Sequence, residues 1–196
     1  DMPDHILTDA LDALSLPRDA LPRLAAYRTA LLAINTELNL TATDDPTEFT
    51  QRHIVDSIAA YRYFSAAKTI LDVGSGGGLP GIPLAIIFPN TAVTLCESKA
   101  KKASALSSMV RTLSLSNVRV AHANVFELRD RFDTITARAF GDLAKLADIL
   151  KRIGTPHARA VCYKGKRATI DEEMANLPGS LYTAAVDVLP VPNLSE

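Results

Sequence analysis

Four glycines and one serine fill positions 74 to 78, between the apolar "LDV" and the "LPGIP" that follows. Glycine inside regular structure is costly, so a run of it marks backbone that turns sharply or is closely approached by a ligand. Glu97 closes a second apolar run, "AVTLCE", 23 residues after Gly74. A glycine turn after one strand and a carboxylate ending the next suit a nucleoside, whose ribose hydroxyls the acid can accept. The pair does not choose the nucleoside. A P-loop is excluded, because no lysine occurs between Lys68 and Lys99. A dinucleotide fingerprint needs a third glycine where Leu79 stands.

These residues need elements to hold them. "TILDV" (Thr69–Val73), "AVTLCE" (Ala92–Glu97), "VRVAHA" (Val118–Ala123), "FDTITA" (Phe132–Ala137) and "HARAVCYK" (His157–Lys164) read as short buried strands. Helical patterns lie between them over Ile82–Phe88, Lys101–Leu115 and Asp142–Ile153. Such alternation predicts a doubly wound, mostly parallel sheet with helices on both faces. Pro80 and Pro83 fall where a first helical turn tolerates missing N–H groups. A late helix (Ala168–Leu177) and a last strand (Leu181–Leu189) complete the α/β reading. Before residue 67 the pattern is helical: Ile6–Leu16, then a helix capped by Asp19 and extending to Leu38, then Phe49–Phe64. The expected organisation is an N-terminal helical cap over 1–66, packed on a core over 67–196 as one compact unit.

Net charge is −1, but residues 1–98 carry 6 Lys and Arg against 12 Asp and Glu, while 99–167 carry 15 against 5. The second region suits a polyanion if its cations share a face. No apolar run reaches the roughly 20 residues of a membrane span. Cys96 and Cys162 sit in apolar runs and read as buried thiols of a cytoplasmic protein. The four histidines show no metal-ligand spacing.

"DVGSGGGLPGIPLAI" resembles the first motif of class I S-adenosylmethionine-dependent methyltransferases. With "NLTA" (Asn39–Ala42), "RHIVDS" (Arg52–Ser57), "ESKAKK" (Glu97–Lys102), "ARAF" (Ala137–Phe140) and "YKGK" (Tyr163–Lys166), it resembles the bacterial 16S ribosomal RNA guanine-N7 methyltransferases, also called glucose-inhibited division protein B. The resemblance implies a Rossmann-like fold. It implies S-adenosylmethionine as cofactor, S-adenosylhomocysteine as product, no metal, and 16S ribosomal RNA or the small subunit as partner of a monomeric enzyme. It also implies a further strand beyond "VPNLSE", so a final strand is expected to be missing from this sequence.

Roles follow as expectations. Gly74, Gly76 and Leu79 line the cofactor path, with Glu97 and Ser98 at the ribose. Asn124, Val125 and Phe126 meet the adenine, as the resemblance implies. Arg138 holds the cofactor carboxylate or orients the target base. Lys164, Lys166 and Arg167, with Lys101 and Lys102, are expected phosphate contacts; Lys164 is also placed with Arg138 in the catalytic group. Asn39 and His53 join that group by resemblance alone.

The chemistry after the fourth strand narrows the acceptor. Many amino-group methyltransferases carry Asp/Asn-Pro-Pro-aromatic there. Here Ala137-Arg138-Ala139-Phe140 has neither amide nor carboxylate, and arginine stays protonated. An acceptor that needs no deprotonation is favoured, and guanine N7, a ring nitrogen with a free lone pair, is one. Other readings remain: a catalytically idle RNA-binding module, an NAD-dependent oxidoreductase, and a small-molecule methyltransferase.

Overall fold

Five strands form: β1 (Thr69–Val73), β2 (Ala92–Glu97), β3 (Val118–His122), β4 (Phe132–Arg138) and β5 (Gly154–Tyr163). In this computed structural model, which describes residues 1–177 and positions 185, 187, 189, 191 and 192, they pair in the order β3-β2-β1-β4-β5. Every pairing is parallel. The order reverses at β1, between β2 and β4. Ligands of such sheets bind in the crevice that this reversal opens beyond the carboxyl ends of the strands.

Period-2 alternation divides the core. Ile70, Val93 and Leu95 point into one buried cluster, whereas Leu71, Val73 and Cys96 point into the other. The first face is covered by α5 (Gly81–Ile87), α6 (Ala100–Thr112) and the N-terminal helices; the second by α7 (Leu143–Ile153). Asp142 caps α7, its Oδ1 accepting from Lys145 N at 2.9 Å. The last described helix is α8 (Arg167–Ala175). The expected strand over Leu181–Leu189 lies outside the described residues.

The N-terminal helices are α1 (Met2–Ala13), α2 (Leu21–Asn35), α3 (Pro46–Phe49) and α4 (Asp56–Ala59). Leu7, Leu11, Leu24, Tyr27, Leu31 and Phe49 are fully buried in the same cluster as Ile70 and Ile82. Asp19 does not cap α2. It lies in a 3-10 turn, Arg18–Ala20, and Ala20 is the N-cap without a side-chain bond. Pro22 in the first turn has no N–H to satisfy, which removes part of the need. The helix also stops at Asn35, short of Leu38. Asn35 Oδ1 accepts from the backbone N–H groups of Leu40 and Thr41 at 2.8 and 2.9 Å, turning the chain back.

Between α3 and α4 the backbone widens into a π-helical segment, Thr50–Val55, continuous with both. Asp45 starts this composite helix by accepting from Thr47 N and Glu48 N. Single π-helical turns inside α-helices recur at functional sites. This one contains Arg52 and His53.

Candidate active site

The glycine turn stands at the reversal point, directly after β1. Gly74, Gly76 and Gly78 have φ of 67°, 56° and 96°, a region in which side chains are strained. A Cβ at Gly74 would meet the Phe140 ring at 2.6 Å, and one at Gly78 would meet Ile82 at 2.4 Å. Gly76 differs, because its nearest neighbour would be the Gly74 carbonyl at 3.9 Å. The backbone there borders open space.

Three side chains hold the turn. Asp72 Oδ2 accepts from Ser75 Oγ at 2.7 Å and from Gly81 N at 3.0 Å, tying the start of the turn to α5. Glu97 Oε2 accepts from Gly76 N at 3.3 Å. Tyr27 donates its hydroxyl to the Gly77 carbonyl at 2.7 Å. Asp72 is fully buried, and that burial pushes its carboxyl up to about 7 against the two hydrogen bonds, which favour the charged form. Leu79 is half-buried and ends the turn before Pro80, the N-cap of α5.

Across the crevice, Arg138 ends β4. Its Nη2 donates to the Arg52 carbonyl at 3.1 Å and to His53 Nδ1 at 2.6 Å. Its Nε lies 3.7 Å from Asp56 Oδ2. A guanidinium only donates, so His53 Nδ1 accepts and the proton of the neutral ring sits on Nε2. Burial first, then the Arg138 cation, draw the imidazole down to about 4. His53 is neutral at pH 7. Asp56 is shifted up by burial, with Arg138 opposing. The chain leaves β4 through Ala139 and Gly141, at φ of 54° and 56°. A left-handed alanine is a strained position of the kind that clusters at ligand sites.

Three buried polar atoms here lack a hydrogen-bond partner among the described residues: Asp72 Oδ1, Arg138 Nη1 and Thr41 Oγ1. Buried polar groups are almost always satisfied, so an orphaned acceptor and an orphaned cationic donor fit a ligand with a cationic and an anionic end. The amino-acid part of S-adenosylmethionine has both, and Glu97 with the open side of Gly76 suits its ribose. The residues present therefore fit the group.

The other expected residues are placed unevenly. Ser98 is exposed, and its carbonyl lies 3.1 Å from His122 Nε2. Asn124 caps a 3-10 turn, Val125–Glu127, through Phe126 N. Val125 is buried, whereas Phe126 is 42% exposed with the Arg152 guanidinium 5.0 Å from its ring centre. Asn39 is exposed in the segment that Asn35 pins, and neighbouring Leu40 lies against Gly77. Lys164 is not a free cation. It donates to the Gly141 carbonyl at 3.2 Å and pairs with Glu173 of α8 at 3.1 Å, both side chains mostly buried. Arg167 is exposed and pairs with Asp171 at 3.0 Å. Lys101 and Lys166 are exposed and Lys102 is half-buried. No cluster of metal-ligating side chains occurs among the described residues.

Four residues of this site escaped the sequence reading. Asp72 carried a signal, a charge inside an apolar strand. Tyr27 looks like an ordinary helical residue and Asp56 has no role of its own inside "RHIVDS"; both declare themselves only through partners far along the chain, whereas Asn35 acts locally, on the backbone of Leu40 and Thr41.

Comparison with known proteins decides the family. The profile of the family described as "GidB: rRNA small subunit methyltransferase G" matches residues 20–196. The chain belongs to this family. It is 36% identical to ribosomal RNA small subunit methyltransferase G of Brachyspira hyodysenteriae, over 95% of this chain and 92% of that one. The protein of the same name from Xylella fastidiosa (strain M23) is 41% identical, over 94% and 87%. Among solved structures, a ribosomal protein L11 methylase from Lactobacillus delbrueckii subsp. bulgaricus superposes with a TM-score of 0.53 at 14% identity, covering 62% of this chain and 63% of that one. That likeness concerns the fold alone, and it supports the class I methyltransferase architecture. As a member of the rRNA small subunit methyltransferase G family, the protein is a methyltransferase. Among its described residues, no helix is long and apolar enough to cross a membrane.

Proposed function

We propose that this member of the family methylates N7 of a guanine in 16S ribosomal RNA by direct in-line attack, with no general base. Family membership supports the RNA substrate. The observation that carries the choice of atom is that every candidate base around Arg138 is already committed. His53 gives its Nδ1 lone pair to Arg138 and is held near 4, too weak to take protons at neutral pH. Asp56 pairs with the same guanidinium. Asp72 has a suitable pKa of about 7, but it is fully buried and its Oδ2 anchors the glycine turn. An exocyclic amine or a hydroxyl would profit from a base, whereas N7 needs none.

When bound, S-adenosylmethionine supplies a methyl group on a sulfonium and leaves as S-adenosylhomocysteine. On this reading Glu97 accepts from the ribose hydroxyls, with Ser98 beside it. Gly74, Gly76 and Leu79 line the path, and Asn124, Val125 and Phe126 border the adenine. Arg138 turns Nη1 toward the cofactor carboxylate, and Asp72 Oδ1 faces the ammonium. His53, with its proton on Nε2, is left a donor that can orient the guanine. Asn39 stands at the rim of the glycine turn. Lys101, Lys102, Lys166 and Arg167 contact RNA phosphates, while Lys164 sets the β5–α8 turn through Glu173. Holding the acceptor in line supplies most of the rate; such positioning is worth up to about 7–11 kcal/mol. Residues 1–66 form the helical cap and 67–196 the methyltransferase core. The enzyme works in the cytoplasm as a monomer.

Transfer of a labelled methyl group to 16S RNA, with the modified nucleotide identified, tests the proposal. Label at guanine N7 is expected. Label on another atom, or none while S-adenosylmethionine binds, overturns it.

A further inference from the structure

Tyr27 belongs to α2, in the N-terminal helical region, and lies 50 residues in sequence from its partner Gly77. Its side chain is fully buried. A buried phenol is costly unless its hydroxyl finds a partner, and phenylalanine would fill the same space without that cost. The hydroxyl donates to the Gly77 carbonyl at 2.7 Å. Two further groups close on the same residue. A Cβ built at Gly77 would stand 2.9 Å from Leu31 Cδ1, one helical turn after Tyr27, and 3.3 Å from the Leu40 carbonyl. Leu40 is itself held by Asn35. The beginning of the turn is tied down by Asp72 through Ser75, and its open side at Gly76 by Glu97. Gly77 is tied by residues from outside the sheet.

Tyr27 also has a second side. Its ring packs on Phe49 at 6.1 Å between centres, and Phe49 packs on His53 at 5.3 Å. One side chain therefore touches the helix that holds Arg138 and bonds the turn that faces it.

We infer that Tyr27 is a positioning residue for S-adenosylmethionine, acting through the Gly77 carbonyl, so that the helical cap is part of the cofactor site. The inference rests on the cofactor reading above. The bond holds one end of the Gly77–Gly78 peptide, whose N–H donates to the Ser75 carbonyl at 2.8 Å, and so fixes the backbone that follows Gly76 at the open side. Without the hydroxyl the Gly77 carbonyl is left buried and unpaired, and it recovers a donor only if the turn shifts.

Calorimetric titration of the intact protein with S-adenosylhomocysteine, at a temperature where all variants are folded, tests this. Tyr27→Phe is expected to weaken binding about three- to ten-fold, the range of one lost hydrogen bond. The KM for S-adenosylmethionine should rise by a similar factor, with kcat at saturating cofactor close to native. Leu11→Val, a change in the same buried cluster away from the turn, serves as control. It should lower the melting temperature and leave affinity unchanged. If Tyr27→Phe lowers only the melting temperature and binds as the native protein does, the inference is wrong. If that variant does not fold, Gly77→Ala decides, because its methyl group presses on Leu31 and on the Leu40 carbonyl, the cap groups that close on the turn: weakened binding upholds the part of the cap in the cofactor site and native affinity overturns it. Absence of binding by the native protein would instead refute the cofactor reading itself.

Discussion

The two banks of the crevice are built in opposite ways. On the β1–β2 bank, the turn from Gly74 to Gly78 is held by buried Asp72, buried Glu97 and buried Tyr27, all bonding to its backbone or to Ser75. On the β5–α8 bank, Lys166 and Arg167 stand exposed, and Lys164 is taken up by Glu173. Arg138 sits between them, part buried and clamped on one side by the π-helical turn. The difference matches what the proposed function asks each bank to bind. A small cofactor of fixed shape rewards pre-organised, desolvated groups, whose ordering is completed during folding. A long polyanion rewards mobile cations that track its phosphates and release counterions.

The largest effect should come from the hinge of the comparison. Arg138→Ala removes a fixed cation and leaves His53 Nδ1 and the Arg52 carbonyl without their donor. Single-turnover rates should fall by about 100-fold or more, a loss comparable with removing a pre-organised electrostatic donor. His53→Gln should retain measurable activity, because an amide oxygen can still accept from Arg138 but cannot serve as a base. The methyl-transfer step should show no rising limb between about pH 6 and 9. A limb that disappears in His53→Gln together with all activity would mean that a base exists. Acid should also loosen the clamp on Arg138. The folded His53 refuses a proton until about 4, whereas the unfolded ring takes one near 6.5. Its contribution to stability is therefore complete above 6.5 and lost as pH falls toward 4.

Asp72→Ala comes next. It strips the acceptor from Ser75 Oγ and Gly81 N, each buried donor left unpaired costing about 1–3 kcal/mol, seen in chemical denaturation. The pH dependence has the opposite sign to that of His53. Folded Asp72 keeps its proton up to about 7, the unfolded carboxyl only to 3.8. This group thus favours the folded state most below 3.8 and progressively less as pH rises to 7. Asp72→Asn should flatten that slope. If the Asp72 carboxylate meets the cofactor ammonium, binding near pH 6 should release protons, which calorimetry in buffers of different ionisation enthalpy would detect. No proton release would place the ammonium elsewhere.

Glu97→Ala should weaken cofactor binding by about 1.5–3 kcal/mol, the worth of hydrogen bonds to a charged acceptor, without unfolding the protein. Native affinity in calorimetry would remove Glu97 from the site.

The smallest effects belong to the exposed bank. Lys166→Ala and Arg167→Ala should each reduce the slope of log K for RNA against log salt by about 0.7–0.9, with cofactor affinity unchanged. Lys164→Ala should leave that slope nearly intact and instead destabilise α8 by leaving Glu173 unpaired. If Lys164→Ala changed the salt slope as much as the other two, the ion pair with Glu173 would have to open on RNA binding.

Sequence alone determined what depends on neighbours along the chain. The strands Thr69–Val73 and Ala92–Glu97 were legible to the residue, because short β-branched runs bounded by turns have few other uses. Glycines after the first strand and an acid ending the second were legible as neighbours at the crevice where the strand order reverses, since a parallel sheet brings all its carboxyl ends to one edge. Tertiary structure alone decided what depends on distant partners. Lys164 and Lys166 look alike in sequence, yet only a helix folding back from β5 brings Glu173 to one of them. Asp19 had the type and place of an N-cap, but the chain entered α2 through a 3-10 turn that put Ala20, which has no side-chain acceptor, at the cap position. His53 could have been a base until Arg138, 85 residues away, took its Nδ1 lone pair. Spacing along a chain reports periodicity and local bonds, whereas burial and long-range hydrogen bonds set pKa and charge, and these exist only once the sheet has brought its strand ends together.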